Sequence, residues 1–378
     1  MERKALFTAS TYSHIAHFHR PYLRALSDQG WTVDVACAGE RMDIPEARRV
    51  IHLPFEKSMS SPANFRAASM LRREMRSEGY TLISTHTSLA AFFTRLAARG
   101  LDTAVVNTCH GYLFDENTPW AKRSVLLEAE KLTAGRTDLL LTMNRQDEEI
   151  ARRHRLGRRI HAIPGVGVDF TRLDAVPGEA GEALRLEWGI PQEAFALLYP
   201  AEFSRRKSQR TLLRALALLP ERAFLLLPGS GGLLEECKAL AGELGVADRV
   251  RFPGHVGDMG PWYRAADCAV ASSRSEGLPF NVMEAMYAGL PVVASNVKGH
   301  EDLIREGENG FLFPWDDAEL CAQRLRELME DPDLAARLGR AGREEAEKYS
   351  LERILPQVLE AYRTVVPELE VPALAETF

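Results

Sequence analysis

The chain has 378 residues, 46% apolar and 26% charged, the mix of a soluble globular protein of two or three domains; collagen-like, mucin-like and disordered chains are excluded. Its net charge of −6 gives no general reason to expect nucleic acid as a partner. The charge is unevenly spread, with 24 Lys and Arg against 19 Asp and Glu in residues 1–170 and 23 against 34 in the remainder. A basic first half suits an anionic ligand or an anionic membrane surface, the alternative being an uneven solvated face.

In chain order, short apolar runs alternate with longer amphipathic ones. KALFTAS (4–10) reads as a buried strand, FHRPYLRALSDQG (18–30) as a helix stopped by Gly30, and WTVDVACAG (31–39) as the next strand. IHLPF (51–55), a helix near 63–78, the strand YTLISTH (80–86), a helix over 88–99 and the strand TAVVNTCHG (103–111) follow. A helix near 119–134, the strand DLLLTMN (138–144), a helix over 145–154 and the strand RIHAIPG (159–165) close the series. Strands alternating with helices imply parallel strands joined by right-handed crossovers.

After the looser segment TRLDAVPGEAGEA (171–183) the pattern starts again. It gives strands over 194–202, 223–229, 249–254, 268–273, 291–295 and 310–313. The helices between and after them span 208–219, 232–244, 259–266, 280–289, 299–306 and 316–330. Helices continue to 347, and KYSLERILPQVLEAYRTVV (348–366) is an amphipathic helix in which Pro356 can impose a kink. The expectation is two doubly wound units in tandem, with ligands beyond the carboxyl ends of the strands, in a cleft that the two units make by facing each other.

The five cysteines form no CxxC pair, which fits a reducing cytoplasm better than a disulfide framework or a zinc site. The first twenty residues are too polar for a secretory signal. No stretch reaches the roughly 18–20 apolar residues that span a bilayer.

Four segments carry the candidate chemistry. In SSRSEGLPFNVMEAMYAGLPVVAS (272–295), Glu276 follows a strand, Gly277, Leu278 and Pro279 make a turn, and a helix starts near Phe280. Such a helix start attracts anions, and Gly277 lets a ligand approach the backbone. Glu284, one turn inside, can accept hydrogen bonds from the vicinal hydroxyls of a ribose. An ordinary strand–turn–helix with a capping and a surface Glu is the competing reading. In PAEFSRRKSQRTLLRALALL (200–219), Arg205, Arg206 and Lys207 at a strand end suit a diphosphate, or form a solvated basic loop. LLLPGSGGLLEE (225–236), with Gly229, lacks the established nucleotide fingerprints and reads as a tight turn first. His110, ending a strand in NTCHGYLF (107–114), can meet a sugar or phosphate, or simply pack. His14, His17 and His19 sit around the first strand–helix turn at a spacing that suggests a metal. No acidic partner stands near them in sequence, so no metal is expected there.

Taken together and in order, these segments resemble glycosyltransferase family 4, retaining transferases of GT-B fold, in its bacterial exopolysaccharide and capsule branch. The likeness rests on the Glu-x7-Glu motif from Glu276-Gly277-Leu278-Pro279 to Glu284-Ala285 and on the following Ala288-Gly289-Leu290-Pro291-Val292-Val293. It extends through GHEDLIREGENGFLF, AADCAVASS, VRFPGHVGD, PGSGG and SRRKSQ, and into the first half through CHGYLF, TDLLLTMNRQDEEIA, IPGVGVD and FHRPYLRALSDQGWTVDVA.

The resemblance implies an α/β GT-B fold of two Rossmann-like domains. Residues 1–175 would form the acceptor side and 190–347 the donor side, with 348–378 returning to the first domain. It implies transfer of a hexose or N-acetylhexosamine from a nucleotide-sugar, UDP-linked by preference, to a growing glycan or polyprenyl-diphosphate-linked acceptor on the cytoplasmic side. No divalent metal is implied. By residue, Glu284 would bind the ribose, Lys207 with Arg205 or Arg206 the diphosphate, and the backbone from Gly277 through Leu278 and Pro279 to Phe280 the distal phosphate or sugar. Glu276 would contact the donor hexose, Gly229 would lie in the nucleotide turn, and His255 and Val256 would line the base pocket. His110 would reach the sugar from the first domain, so the catalytic set would be Glu276, His110 and Lys207. NFRAASMLRREMR (64–76) and WAKRSVLL (120–127) mix cations with apolar residues and are candidates for peripheral membrane contact.

Two departures stand out. Ala201-Glu202 replaces a frequent Gly-Arg pair, and Ser10-Thr11-Tyr12-Ser13-His14 replaces a Gly-rich turn. Glu202 keeps open a non-catalytic scaffold of a polysaccharide-assembly complex. A 2-epimerase of the same fold is disfavoured because GSGGLLEE precedes Glu276. No nucleic-acid partner is implied.

Overall fold

The computed structural model describes residues 2–115 and 118–372. The chain divides into two compact units, one running to Gly167 and resuming at Glu352, the other Val168–Leu351. The last six positions of the C-terminal segment 348–378 lie outside the described residues.

The first unit holds seven parallel strands, β1 Lys4–Thr8, β2 Thr32–Cys37, β3 Arg49–His52, β4 Leu82–His86, β5 Ala104–Cys109, β6 Leu139–Thr142 and β7 Arg159–Ala162, in the order β3-β2-β1-β4-β5-β6-β7. The second holds six, β8 Phe195–Leu198, β9 Ala223–Pro228, β10 Val250–Gly254, β11 Cys268–Ala271, β12 Val292–Ser295 and β13 Phe311–Phe313, in the order β10-β9-β8-β11-β12-β13. Helices on both faces explain why central strands such as β4, β9 and β11 are buried along their whole length. Strand order reverses between β1 and β4 and again between β8 and β11, and a crevice opens at the carboxyl ends at such a point.

Two local readings of the sequence are corrected. Residues 12–18, given no helix by the sequence, form the helix Tyr12–Phe18, which ends at His19 before the helix expected over 18–30, found as Arg20–Asp28. Pro21 lies in the first turn of the second helix, where its missing N–H has no intrahelical partner to lose, so it favours a helix start there. The loose segment 171–183 instead contains the helix Thr171–Asp174 and enters the helix Ala180–Glu187. Arg185 fixes the latter by bonding the Ala265 and Gln192 carbonyls and pairing with Asp267 at 2.6 Å. A distant partner, invisible to local pattern, decides that helix.

The helix Leu351–Arg363 runs through Pro356 and buries Ile354, Val358, Leu359 and Tyr362. The Tyr362 hydroxyl meets Ser84 Oγ at 2.7 Å, which ties this helix to β4. By contrast, the helix Trp120–Ala134 fully buries only Thr133 and exposes Trp120, Val125 and Leu132. Leu126 and Leu127 pack on a small core around Tyr112, Phe114 and Leu156. Arg95, buried in the helix Ser88–Ala97, pairs with Glu130 at 2.8 Å and also bonds the Ala91 carbonyl and Thr137.

With so little apolar burial of its own, the 120–134 helix depends on that ion pair. Arg95→Met, which leaves Glu130 without its partner, should loosen it by about 3 kcal/mol. Hydrogen exchange should then speed up in the amides of 120–134 and far less in β1 and β4.

Candidate active site

At the reversal between β8 and β11, two loops meet. The loop after β8 carries Arg206 and Lys207, and the loop after β11 carries Glu276. Lys207 Nζ donates to Glu276 Oε1 at 2.6 Å and Arg206 donates to Oε2 at 2.8 Å. Glu276 and Lys207 are buried or nearly so, and Arg206 is half-exposed. Burial opposes ionisation of Glu276, but Lys207, and after it Arg206, overcome this and hold its carboxyl at about 2. Burial pulls Lys207 below the usual lysine value against the opposing field of Glu276.

The backbone around this pair is pinned by hydroxyls. Tyr199 OH donates to the Lys207 carbonyl at 3.2 Å, and Ser272 Oγ donates to the carbonyls of Lys207 and Ser208. Ser208 is thereby kept at φ 52°, a left-handed conformation uncommon for serine. On the other loop, Gly299 has φ 82°, and a Cβ there would lie 2.7 Å from the Gly277 carbonyl oxygen. Only glycine lets the turn after β12 approach the 276–277 turn this closely.

The helix Phe280–Tyr287 starts directly after this turn, with Pro279 at its N-cap supplying no capping side chain. Gly277 and Phe280 flank the buried Leu278 and Pro279. Glu284 lies half-buried one turn inside, and Tyr263 donates to its Oε2 at 2.8 Å. Burial raises the Glu284 carboxyl, and the Tyr263 hydrogen bond only partly offsets this. Asn281 Nδ2 donates to the Pro200 carbonyl at 3.1 Å, tying the helix start to the exit of β8. A neighbouring cavity of about 290 Å³ is lined by Ala201, Glu202, Gly229, His255 and Val256 among others. Gly229, at φ 149°, lets the β9 exit approach the Ala201 carbonyl, where a Cβ would collide.

The structure therefore brings Arg206, Lys207 and Glu276 together, places Glu284 on the adjoining helix, and gathers Gly229, His255 and Val256 around one cavity. Arg205 departs from the expected group. It is exposed and lines a different cavity with Arg210, Glu236 and Arg274. Tyr263, Asn281, Tyr199 and His300 were not singled out by sequence. His300 is fully buried, its Nδ1 donates to the Ser295 carbonyl at 2.8 Å, and burial pushes it down to about 4 against the pull of Glu276. Their signal is weak because nothing in the local pattern tells a polar residue at a site from one on a solvated or packed face.

His110 does not stand alone. Its Nε2 lies 3.2 Å from His14 Nε2 and 3.3 Å from His86 Nδ1, and His19 Nε2 lies 3.3 Å from His14 Nε2. Burial lowers all four imidazoles, His14 to about 4 and the others well below their usual value. His17, grouped with His14 and His19 by sequence spacing, is exposed and turned to the Ser13 carbonyl at 2.7 Å.

The family description "Glycosyl transferases group 1" matches residues 182–345, and "Glycosyltransferase Family 4" matches residues 22–172. The Bacillus subtilis protein named glycosyltransferase EpsD is 33% identical over 369 residues, 96% of this chain and 97% of that protein. Among solved structures, sucrose-phosphate synthase from Thermosynechococcus elongatus superposes with a TM-score of 0.82 at 23% identity, over 97% of this chain and all of the other. Anabaena HepE, solved with UDP and glucose, gives 0.81 at 19% identity over 96% of this chain and all of that one. The chain belongs to glycosyltransferase family 4. It is a glycosyltransferase built from two Rossmann-like units of the GT-B fold.

The ion pair makes a prediction with a definite sign. Glu276→Gln keeps the shape, removes the charge and leaves Lys207 buried opposite a neutral amide, at an expected cost of about 3 kcal/mol near neutral pH. Because the Glu276 carboxyl is lowered from 4.5 to about 2, its stabilisation is complete above pH 4.5 and is lost as pH falls toward 2. Thermal unfolding should therefore show a large gap in Tm between parent and variant at pH 7 and a smaller gap at pH 3.

Proposed function

We propose that the enzyme transfers a hexose or N-acetylhexosamine from a UDP-sugar, with retention of configuration, to a growing lipid-linked glycan in exopolysaccharide synthesis. The observation that carries the donor half is the buried Lys207–Glu276 pair, joined by the half-exposed Arg206, beside a helix start, with Glu284 one turn further on. The likeness to HepE, solved with UDP and with UDP-glucose, supports a uridine nucleotide. The likeness to EpsD supports the exopolysaccharide setting.

On this reading the bond from the anomeric carbon to the phosphate oxygen breaks, and negative charge grows on the nucleoside diphosphate. Lys207, Arg206 and the backbone at the start of the 280–287 helix are fixed before the reaction, so they stabilise that charge without reorganising. Such preorganised donors are typically worth ~2.7–4 kcal/mol each. The acceptor oxygen attacks the same face of the sugar, and its proton passes to the departing phosphate oxygen. Glu276 holds the two cations in place until the donor binds, and then faces the hexose. Glu284, as a carboxylate, accepts hydrogen bonds from the ribose hydroxyls, and His255 and Val256 border the base. We give His110 no donor-side role, because its Nε2 faces two other imidazoles.

For the acceptor, the helix Pro62–Glu78 exposes Phe65 and Met70 among Arg66, Arg73 and Arg76. The helix Trp120–Ala134 exposes Trp120 and Val125 beside Lys122 and Arg123. Apolar and cationic groups mixed in this way suit an anionic leaflet carrying a lipid-linked substrate.

A screen of nucleotide-sugars for binding and slow hydrolysis tests the donor assignment. Lys207→Ala should lower kcat/KM by roughly 10²–10³. Glu284→Gln should weaken UDP-sugar binding and also remove its acid limb. With its carboxyl raised, Glu284 in the parent protonates above the ordinary carboxylate range, and affinity should fall there as pH is lowered. Parent-like turnover by both variants would refute the assignment.

A further inference from the structure

The four imidazoles of the first unit form a second polar cluster, on the other sheet from Arg206, Lys207 and Glu276. One ring nitrogen from each of His14, His19, His86 and His110 lies within 4.8 Å of all the others. Three of the separations, at 3.2, 3.3 and 3.3 Å, are short. A neutral imidazole nitrogen carries either one hydrogen or one lone pair. Four such nitrogens can therefore form at most two hydrogen bonds among themselves, fewer than the three close approaches. One cation accepting four lone pairs satisfies all of them at once.

Three of the six separations match that cation, and the rest lie within 4.8 Å. Zinc–imidazole bonds of about 2.0–2.1 Å in a tetrahedron place the ligand nitrogens about 3.3 Å apart. We propose that His14, His19 and His110 through Nε2, and His86 through Nδ1, hold one divalent first-row transition metal ion, with Zn²⁺ the best match to a tetrahedral all-nitrogen set. Ions that demand oxygen ligands, Ca²⁺ and Mg²⁺, are a poor match to four imidazoles.

Two further features support the assignment independently. His86 Nε2 lies 3.0 Å from Ser84 Oγ, which meets Tyr362 OH at 2.7 Å. A ring N–H directed to an outer partner leaves the other nitrogen as a lone pair facing the cluster, the usual arrangement behind a metal-bound histidine. The place in the fold also fits. His14 and His19 follow β1, His86 ends β4 and His110 follows β5, so the cluster occupies the strand-order reversal of the first sheet. Thr87, next to His86, has φ 62° and is held by Ser10 through bonds of 2.9 and 2.7 Å, a costly backbone state that fixes where His86 points. Four protein ligands leave no open position, so the ion acts as a staple between segments up to 96 residues apart rather than as a Lewis acid.

The test uses the full-length chain without a histidine tag, stripped by chelator and titrated with Co²⁺ at neutral pH. The expected result is one equivalent bound with the intense visible bands of tetrahedral cobalt, displaced by Zn²⁺, and a rise in Tm with either metal. His86→Gln and His110→Gln should each weaken binding by roughly tenfold or more, whereas His17→Gln should bind like the parent. Since His110 is only half-buried, its variant serves if His86→Gln fails to fold. Sub-stoichiometric cobalt, weak octahedral bands, or equal loss in His17→Gln would overturn the proposal. None of these readouts depends on transfer activity, so the donor assignment stands or falls separately.

Discussion

A charged side chain taken out of water must be paired, and beside the crevice of the second unit Lys207 and Arg206 meet this constraint by closing on Glu276 between the ends of β8 and β11. A pair this buried is weak evidence for stability. Well-packed apolar residues of similar size would often serve as well or better, whereas losing one partner costs about 3–5 kcal/mol. Its retention beside a crevice, surrounded by hydroxyls that bond loop carbonyls, is better explained by chemistry than by folding. Tyr199 and Ser272 spend their hydrogen bonds on the backbone of Lys207 and Ser208, so the cations are positioned by the sheet rather than by a free loop.

Backbone strain marks both polar clusters. Among the described residues, the non-glycine positions with positive φ are Thr87, Arg155 and Ser208. Arg155 ends a helix, where a left-handed residue is ordinary. The other two adjoin His86 and Lys207. Such conformations persist only where the surroundings over-determine them. Here the surroundings are the Ser10–Thr87 bonds in one unit and the Ser272–Ser208 bond in the other.

Most strands were legible in the sequence because a strand covered on both faces leaves a continuous apolar run, as in FLLLP or CAVA. The helix start at Phe280 and the placing of Glu276 and Glu284 were legible too, since a strand, a Gly-Pro turn and a helix lie next to one another. What failed depended on distance along the chain. The helix at 180–187 is held by Arg185 reaching Asp267, 82 residues away. Arg205 and Arg206 are neighbours in sequence, but the loop turns one toward Glu276 and the other toward a separate cavity. His14, His17 and His19 looked like one group, yet the break before Pro21 combines two of them with His86 and His110 and leaves His17 outside. Tyr263 carried no signal, because only the folded chain shows that it is the donor to Glu284.

The same electrostatics suggests how the second unit selects its ligand. Glu276 stays ionised throughout the physiological range, since its carboxyl is held at about 2. It neutralises one of the two cationic charges beside it and leaves a surplus of one. A singly charged ligand finds only that residual charge and must compete with a carboxylate already at 2.6 Å from Lys207. On the proposed donor reading, a diphosphate brings at least two negative charges and several acceptor oxygens, so it would draw Arg206 toward itself and meet Lys207 in place while Glu276 turns to the hydroxyls of the attached sugar. The half-exposed Arg206 is free to make that shift at little cost, and the buried Lys207 is not. On that reading, recognition of the leaving group and the turning of Glu276 toward the sugar would be one event, driven by an exchange of charge partners.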